Sequence, residues 1–196
     1  MRHKISAILL AAGLSKRMGQ TNKLLMDYKG QPMILHTVTN IMQANIDELI
    51  VVIGHQQEEI NHLLEPTGVR TVVNKAFDSG MTSSIQTGVS AADAGSIGYL
   101  VCLADMPKLD SLDYSLIADR SRSTSDKRIL RPSYENQPGH PIYFSKHFKQ
   151  DLLNHSDPTG CRGVISDNLA FLEMFKYPNN HILIDFDTLE DFRLNE

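Results

Sequence analysis

With 196 residues, 41% of them hydrophobic and 21% charged, the chain is long enough for one substantial core and lacks the apolar-poor composition of a disordered chain. Its 19 basic and 23 acidic residues give a formal net charge of -4, which excludes a general nucleic-acid or membrane-surface binder and requires any anion to be gathered by a local cluster of cations. Cys102 and Cys161 are too few for a disulfide scaffold and lack metal-type spacing, and the longest apolar run near the start, residues 5–12, is too short to cross a bilayer, so the expected location is the cytoplasm.

In chain order, the first predicted element is the strand "ISAILLA" (5–11). Further apolar runs follow at "LIVVIG" (49–54), "RTVVN" (70–74) and "YLVCLAD" (99–105). These runs are continuous rather than alternating, as strands are when helices cover both faces of a parallel sheet. Between them lie amphipathic stretches read as helices: "PMILHTVTNIMQAN" (32–45), with Pro32 at the first helical position, "HQQEEINHLLE" (55–65) and "TSSIQTGVSAADA" (82–94). Strand then helix, repeated, predicts an α/β fold with a doubly wound, mostly parallel sheet whose ligand crevice lies beyond the carboxyl ends of the strands.

After Ser121 the pattern loosens. "SRSTSDKR" (121–128) reads as a polar loop, "ILRPSYENQPGHPIYF" (129–144) as two strands around a Pro/Gly/Asn turn, and "SKHFKQDLLNH" (145–155) and "GCRGVISDNL" (160–169) as helical. A strand "HILIDF" (181–186) and a short helix "TLEDFRL" (188–194) close the chain. One domain over 1–196 is expected, with roughly residues 125–180 forming a small lid or lobe.

The segment "LAAGLSKRMGQTNKLL" (10–25) leaves the first strand and carries Lys16, Arg17 and Lys23 with no carboxylate. Such a turn presents backbone N–H groups to a ligand, which is how phosphates are cradled. The dinucleotide fingerprint fails, because the glycines are Gly13 and Gly19 and the second strand ends in Gly54-His55 without an acid; a Walker loop fails because Gln20 and Thr21 follow Gly19. Arg17 and Lys23, six residues apart, suit a polyphosphate held from two sides.

"LADMP" (103–107) puts Asp105 at a strand mouth, where a carboxylate can hold Mg²⁺; the alternative, capping the next helix, falls better to Asp110 and Ser111. Thr82 or Ser83 reads as an N-cap. Asp185 and Asp187, two apart on the closing strand, would share a face. Cys161 has no partner that would activate it.

These segments together, with "DSGMTSSIQTGV" (78–89), "GHPIYF" (139–144) and "IDFDTLEDF" (184–192), resemble the MobA-like nucleotidyltransferases, and within them most the molybdenum cofactor cytidylyltransferases. The resemblance spans nearly the whole chain in order. It implies a Rossmann-like nucleotidyltransferase fold and transfer of CMP from CTP to molybdopterin with release of pyrophosphate. Leu10, Ala11, Ala12, Gly13, Gly80, Ser83 and Ser84 would line the nucleotide site, with Arg17 and Lys23 on the phosphates.

It further implies Mg²⁺ on Asp105 and on Asp187, with Asp185 as the alternative ligand, and an acceptor site at His140 and Arg162. A recipient molybdoenzyme or its chaperone would be the protein partner. "DPTGCRGV" (157–164) departs from the family's usual G-D-x-G-A-R, which leaves Arg162 less fixed than the rest. Ala12 stands where relatives using GTP typically carry glycine. Sugar-phosphate acceptors, a dinucleotide-dependent oxidoreductase and a nucleotide-binding module without catalysis are the competing readings.

Overall fold

The computed structural model describes residues 3–15, 18, 21–122 and 127–194. The first strand, β1 (Ile5–Ala11), shows why the sheet is buried on both faces: Ile5, Ala7, Leu9 and Ala11 enter one core, and Ile8 enters the other. A period of two thus sorts one apolar run between two layers.

A hairpin of β2 (Asp27–Tyr28) and β3 (Gln31–Pro32) follows, its turn made by Lys29 at φ 54 and Gly30 at φ 86. Helix α1 (Met33–Gln43) leads to β4 (Glu48–Ile53), and α2 (Gln57–Leu64) to β5 (Arg70–Val73). Helix α3 (Met81–Ala91) then crosses to β6 (Gly98–Leu103), and α4 (Ser111–Arg122) leads to β7 (Ile129–Tyr134). Short β8 (Gln137–Pro138), β9 (Ile142–Ser145), α5 (Lys149–Asn154), α6 (Arg162–Asp167), β10 (Leu172–Lys176) and α7 (Leu189–Leu194) complete the described elements.

The sheet runs β10-β7-β9-β6-β1-β4-β5, with β8 on β7. Strands β6, β1, β4 and β5 are mutually parallel, β9 is antiparallel to β6 and β7, and β10 is parallel to β7. From β1 the chain winds outward to β4 and β5, then returns to β6 on the other side of β1. The ends of β1 and β6 therefore form the switch point where such sheets bind ligands. Side chains of α1, α2 and α4 fill one core and those of α3, α5 and α6 the other.

Helix α3 lies close to the sheet at Gly88, where an added Cβ would fall 2.1 Å from Ile8 Cγ2 and 3.0 Å from Val52 Cγ2. Gly88→Val is accordingly expected to cost about 1–3 kcal/mol through overpacking. A lowered urea midpoint with an unchanged m-value would register it; an unchanged midpoint would mean the helix can ride outward freely.

Three features differ from the sequence reading. Pro32 belongs to β3 and precedes α1 rather than opening it. Strand β10 went unread, because its apolar residues are interrupted by Glu173 and Lys176 at the sheet edge. The expected closing strand is instead a 3-10 turn, His181–Leu183, followed by an extended segment outside any strand. That segment bridges two loops: the Ile182 carbonyl accepts from His140 N–H at 2.9 Å and Phe186 N–H donates to the Asp105 carbonyl at 2.9 Å. Strands β7, β9 and β10, from the region expected to form a lobe, extend the same sheet.

Candidate active site

Lys23 is fixed by its neighbours before its own side chain acts. Asn22 accepts from Leu24 N–H at 3.1 Å and so caps the 3-10 turn Lys23–Leu25, whose Leu24 is buried. Lys23 N–H donates to Ser15 Oγ at 3.3 Å, and Ser15 itself adopts φ 47. The turn is thereby tied to the loop leaving β1.

From there the lysine reaches across the switch point. Its Nζ lies 2.5 Å from Asp105 Oδ2 and 2.6 Å from Asp187 Oδ1. Asp105 stands two residues beyond β6, and Asp187 follows Phe186, whose N–H holds the Asp105 carbonyl. On the far side Asp191 accepts from the N–H groups of Asp187 and Thr188, at 2.9 and 2.7 Å, which sets the Asp187 loop.

Burial works against the Lys23 charge, yet Asp105 and Asp187 outweigh it and hold the ammonium above the ordinary lysine range. Asp185 is pushed up, first by burial and then by the charges of Asp105 and Asp187. Three carboxylates thus crowd one ammonium. Asp105 Oδ1 is buried with no hydrogen-bond partner among the described residues, the kind of orphan that a cation or solvent satisfies.

A divalent ion fits this donor set, since Mg²⁺ takes one or two protein carboxylates and completes its shell with phosphate oxygens and water. Lys23 already stands as a cation between them. Among the described residues no group of three or more His, Cys, Asp and Glu is placed to hold a metal.

Around this centre Leu10 and Ala11 end β1, while Ala12 is 3% exposed and Gly13 is exposed with open space where a side chain would be. An added Cβ on Gly54 would fall 2.7 Å from Phe77 Cβ and 2.9 Å from Ala12 Cβ, so the loops after β1, β4 and β5 meet there without spare room. Beyond the ends of β4 and β5 lies a cavity of about 420 Å³ lined by Gly54, Gln56, Asn74, Lys75 and Phe77, with Glu58 and Glu59 at its side. Arg17, expected on the phosphates, lies outside the described residues.

At the start of α3 the hydroxyls serve the loop before the helix rather than a cap. Asn74 Nδ2 donates to Ser83 Oγ at 2.8 Å and Ser84 Oγ at 2.9 Å. Gly80, at φ 115, is the N-cap and has no side chain to offer; neither Thr82 nor Ser83 replaces it. Thr82 Oγ1 instead donates to the Asp157 carbonyl and accepts from Gly160 N–H at 3.1 Å, while Met81 N–H donates to the Pro158 carbonyl at 3.0 Å. The loop before α6 is stitched to the loop before α3.

That stitching brings the second predicted group into place. Burial, and then the charges of Arg131 and Arg162, lower the His140 pKa to about 4, so the imidazole is neutral at pH 7. Arg131, on β7, donates from Nε to the Gly139 carbonyl at 3.0 Å. Sequence reasoning passed over Arg131, because one polar residue in a strand run ordinarily faces solvent. Cys161 is pushed up to about 12 by burial, which keeps the thiol protonated and inert.

Two clusters result: Lys23, Asp105 and Asp187 with Asp185 beside them, and Arg131, His140 and Arg162. The segment 182–187 touches both, through the Ile182 carbonyl and the Phe186 N–H. Among the described residues no helix is long and apolar enough to cross a membrane.

Comparison with known proteins identifies the family and the fold. Residues 7–171 match the model of the MobA-like NTP transferase domain. A probable molybdenum cofactor guanylyltransferase of Natronomonas pharaonis is 32% identical over 139 residues, covering 70% of this chain and 67% of that protein. Nicotine blue oxidoreductase of Paenarthrobacter nicotinovorans is 31% identical over 197 residues, covering 95% and 93%. The molybdenum cofactor cytidylyltransferase of Escherichia coli K12 is 25% identical over 191 residues, covering 96% and 93%.

Among solved structures, Rv0371c of Mycobacterium tuberculosis H37Rv superposes with a TM-score of 0.86 at 23% identity, over 99% of this chain and 98% of that one, a likeness of fold. The motifs, the sheet order and the family match converge, and the chain belongs to the MobA-like NTP transferases.

Proposed function

We propose that this nucleotidyltransferase is Mg²⁺-dependent and transfers CMP from CTP to a molybdopterin-type acceptor, releasing pyrophosphate. The observation that carries the reading is the convergence of Lys23, Asp105 and Asp187 at the switch point between β1 and β6. In the reaction an acceptor phosphate oxygen attacks the α-phosphorus of CTP in line; the new P–O bond forms as the bond to the β-phosphate oxygen breaks, and pyrophosphate carries away the electron pair. The acceptor phosphate is already ionised near neutral pH, so the protein supplies position and charge rather than a nucleophile.

In this reading the Ala11 to Gly13 turn and Arg17 hold the triphosphate, and Lys23 meets the charge that grows on the α-phosphate. Asp105 and Asp187 hold Mg²⁺, which when bound neutralises phosphate oxygens. His140, neutral, and Arg162 face the acceptor. What supports CTP over GTP is that Ala12 stands where relatives using GTP typically carry glycine.

The name of the nicotine-blue relative supplies the second reading, a reductase on the same fold. Two acids around a lysine favour phosphate chemistry over hydride transfer, which calls for no such set. The test is to incubate the protein with each nucleoside triphosphate, Mg²⁺ and molybdopterin while following pyrophosphate. Release that is fastest with CTP and lost with EDTA is expected. NADH- or NADPH-dependent reduction indifferent to EDTA, without pyrophosphate, would replace this proposal with the reductase.

A further inference from the structure

Asp113 stands in the first turn of α4, yet it serves more than the helix. Its N–H donates to Asp110 Oδ1 at 2.9 Å and its Oδ2 accepts from Asp110 N–H at 3.0 Å, the reciprocal pair that closes a helix start. Beyond that pair, Oδ1 accepts from Tyr177 Oη at 2.6 Å, and Oδ2 lies 3.0 Å from His181 Nδ1. Facing a carboxylate, which only accepts, the imidazole nitrogen is the donor. Burial, and then the hydrogen bond to Asp113, push the Tyr177 phenol up, so it too stays a donor. One buried carboxylate thus fastens both ends of the turn from Tyr177 to His181, by which the chain leaves the sheet edge after β10.

From His181 the link continues through one peptide unit. Ile182, fully buried, comes next, and its carbonyl accepts from His140 N–H at 2.9 Å. The contact has no slack: an added Cβ on Gly139 would overlap the Ile182 carbonyl and fall 2.8 Å from Ile182 Cβ and Cδ1. Gly139 itself is held from β7, where its N–H donates to the Pro132 carbonyl at 2.8 Å and its carbonyl accepts from Arg131 Nε at 3.0 Å. Strand β7 therefore fixes where this loop begins, and Ile182 fixes where His140 stands. The far end of the segment 182–187 has anchors of its own, through Phe186 N–H on the Asp105 carbonyl and through Asp191 on the N–H groups of Asp187 and Thr188.

We propose that Asp113 is a positioning residue: through His181 and Ile182 it sets the placement of the loop that presents His140. That this loop receives the acceptor rests on the nucleotidyltransferase reading; the relay itself rests on the chain of hydrogen bonds from Asp113 to His140. Hydrogen bonds to a carboxylate are stronger than neutral ones, so loss of the His181 donor releases one end of the turn while Tyr177 keeps the other. The effect has a direction. Loosening at residue 181 passes through Ile182 to His140, whereas Phe186 and Asp187 are held from Asp105 and Asp191. A carboxylate that only closed α4 would send nothing to either place.

The test compares the full-length chain as wild type, His181→Ala, His181→Asn and Asp113→Asn, by hydrogen exchange of the His140 and Phe186 amides followed by NMR. In His181→Ala the His140 amide is expected to exchange at least about tenfold faster, with Phe186 within about twofold of wild type. His181→Asn, whose amide nitrogen can stand where Nδ1 stands, should restore most of the protection. Asp113→Asn should act at His140 as His181→Ala does, because one amide oxygen cannot replace both carboxylate oxygens toward Asp110, Tyr177 and His181. Equal acceleration at both amides, the mark of lost global stability, overturns the proposal. So does an unchanged His140 rate in His181→Ala, or His181→Asn exchanging as fast as His181→Ala. In turnover with CTP and molybdopterin, KM for the acceptor should rise at least about threefold in His181→Ala, with KM for CTP within about twofold. An unchanged acceptor KM, or an equal rise in both, overturns the positioning role. If no nucleoside triphosphate yields pyrophosphate, the transferase reading falls and the exchange rates alone decide the relay.

Discussion

Lys23→Ala is expected to lower turnover about 10²–10³-fold, the loss typical when a preorganised donor to developing charge is removed, while CTP binding stays measurable. The size follows from position. The ammonium is mostly shielded, at 13% side-chain exposure, so little solvent is at hand to replace it. Two neighbouring acids keep it charged at every pH where the protein works.

The same substitution has a second consequence that separates chemistry from scaffolding. Without the ammonium, Asp105 and Asp187 face each other with Asp185 beside them, and the acids hold a proton or an added cation more readily. Mn²⁺ binding without nucleotide, followed by electron paramagnetic resonance, is therefore expected to tighten in Lys23→Ala and in the bulk-preserving Lys23→Met. A lysine that merely pinned two loops would leave Mn²⁺ affinity alone and lower only the melting temperature. Unchanged kcat in folded Lys23→Met would take the lysine out of the reaction.

Most of the sheet could be read from the sequence because the strands β1, β4 and β6 are buried on both faces, so their apolar runs are unbroken and do not depend on distant partners. The edge was harder. β10 lies at one end of the sheet, where Glu173 reaches Arg120 and Arg128 rather than interrupting a core, so polar residues conceal the strand. The segment 181–187 misled for the opposite reason: Ile182 and Phe186 are buried, but in a crossing between loops that local periodicity does not encode.

The candidate site divides in the same way. Asp105 and Lys23 each follow a legible strand, so their meeting could be anticipated from topology. The opposition of Arg131 and Arg162 depends on how a late loop folds against α3, through Thr82 and Gly160, and no spacing in the sequence announces it. The roles of Ser83 and Ser84 illustrate the ambiguity of hydroxyls beside a helix start, for both are held by Asn74 inside the loop they were expected to open toward a ligand.

Asp105→Asn is expected to raise the Mg²⁺ concentration for half-maximal rate at least about tenfold and to cut the maximal rate by about 10² or more, because the amide keeps the shape of the carboxylate and removes its charge. The local electrostatics change in a checkable direction. Asp105 is one of the charges that raise the Asp185 pKa, after burial, so in the variant Asp185 should titrate lower, visible as a shifted carboxyl resonance. Lys23 would keep only Asp187 as its close acid, at 2.6 Å, and the metal-free fold should lose little, since one ammonium is still matched by one carboxylate. These effects distinguish a metal ligand from a helix cap, because Asp110 already accepts from Leu112 N–H at 2.8 Å and Asp113 N–H at 2.9 Å at the start of α4. An Asp105→Asn enzyme with the wild-type Mg²⁺ curve and full rate would move the metal away from this strand end and leave the lysine's two acids with a purely structural part.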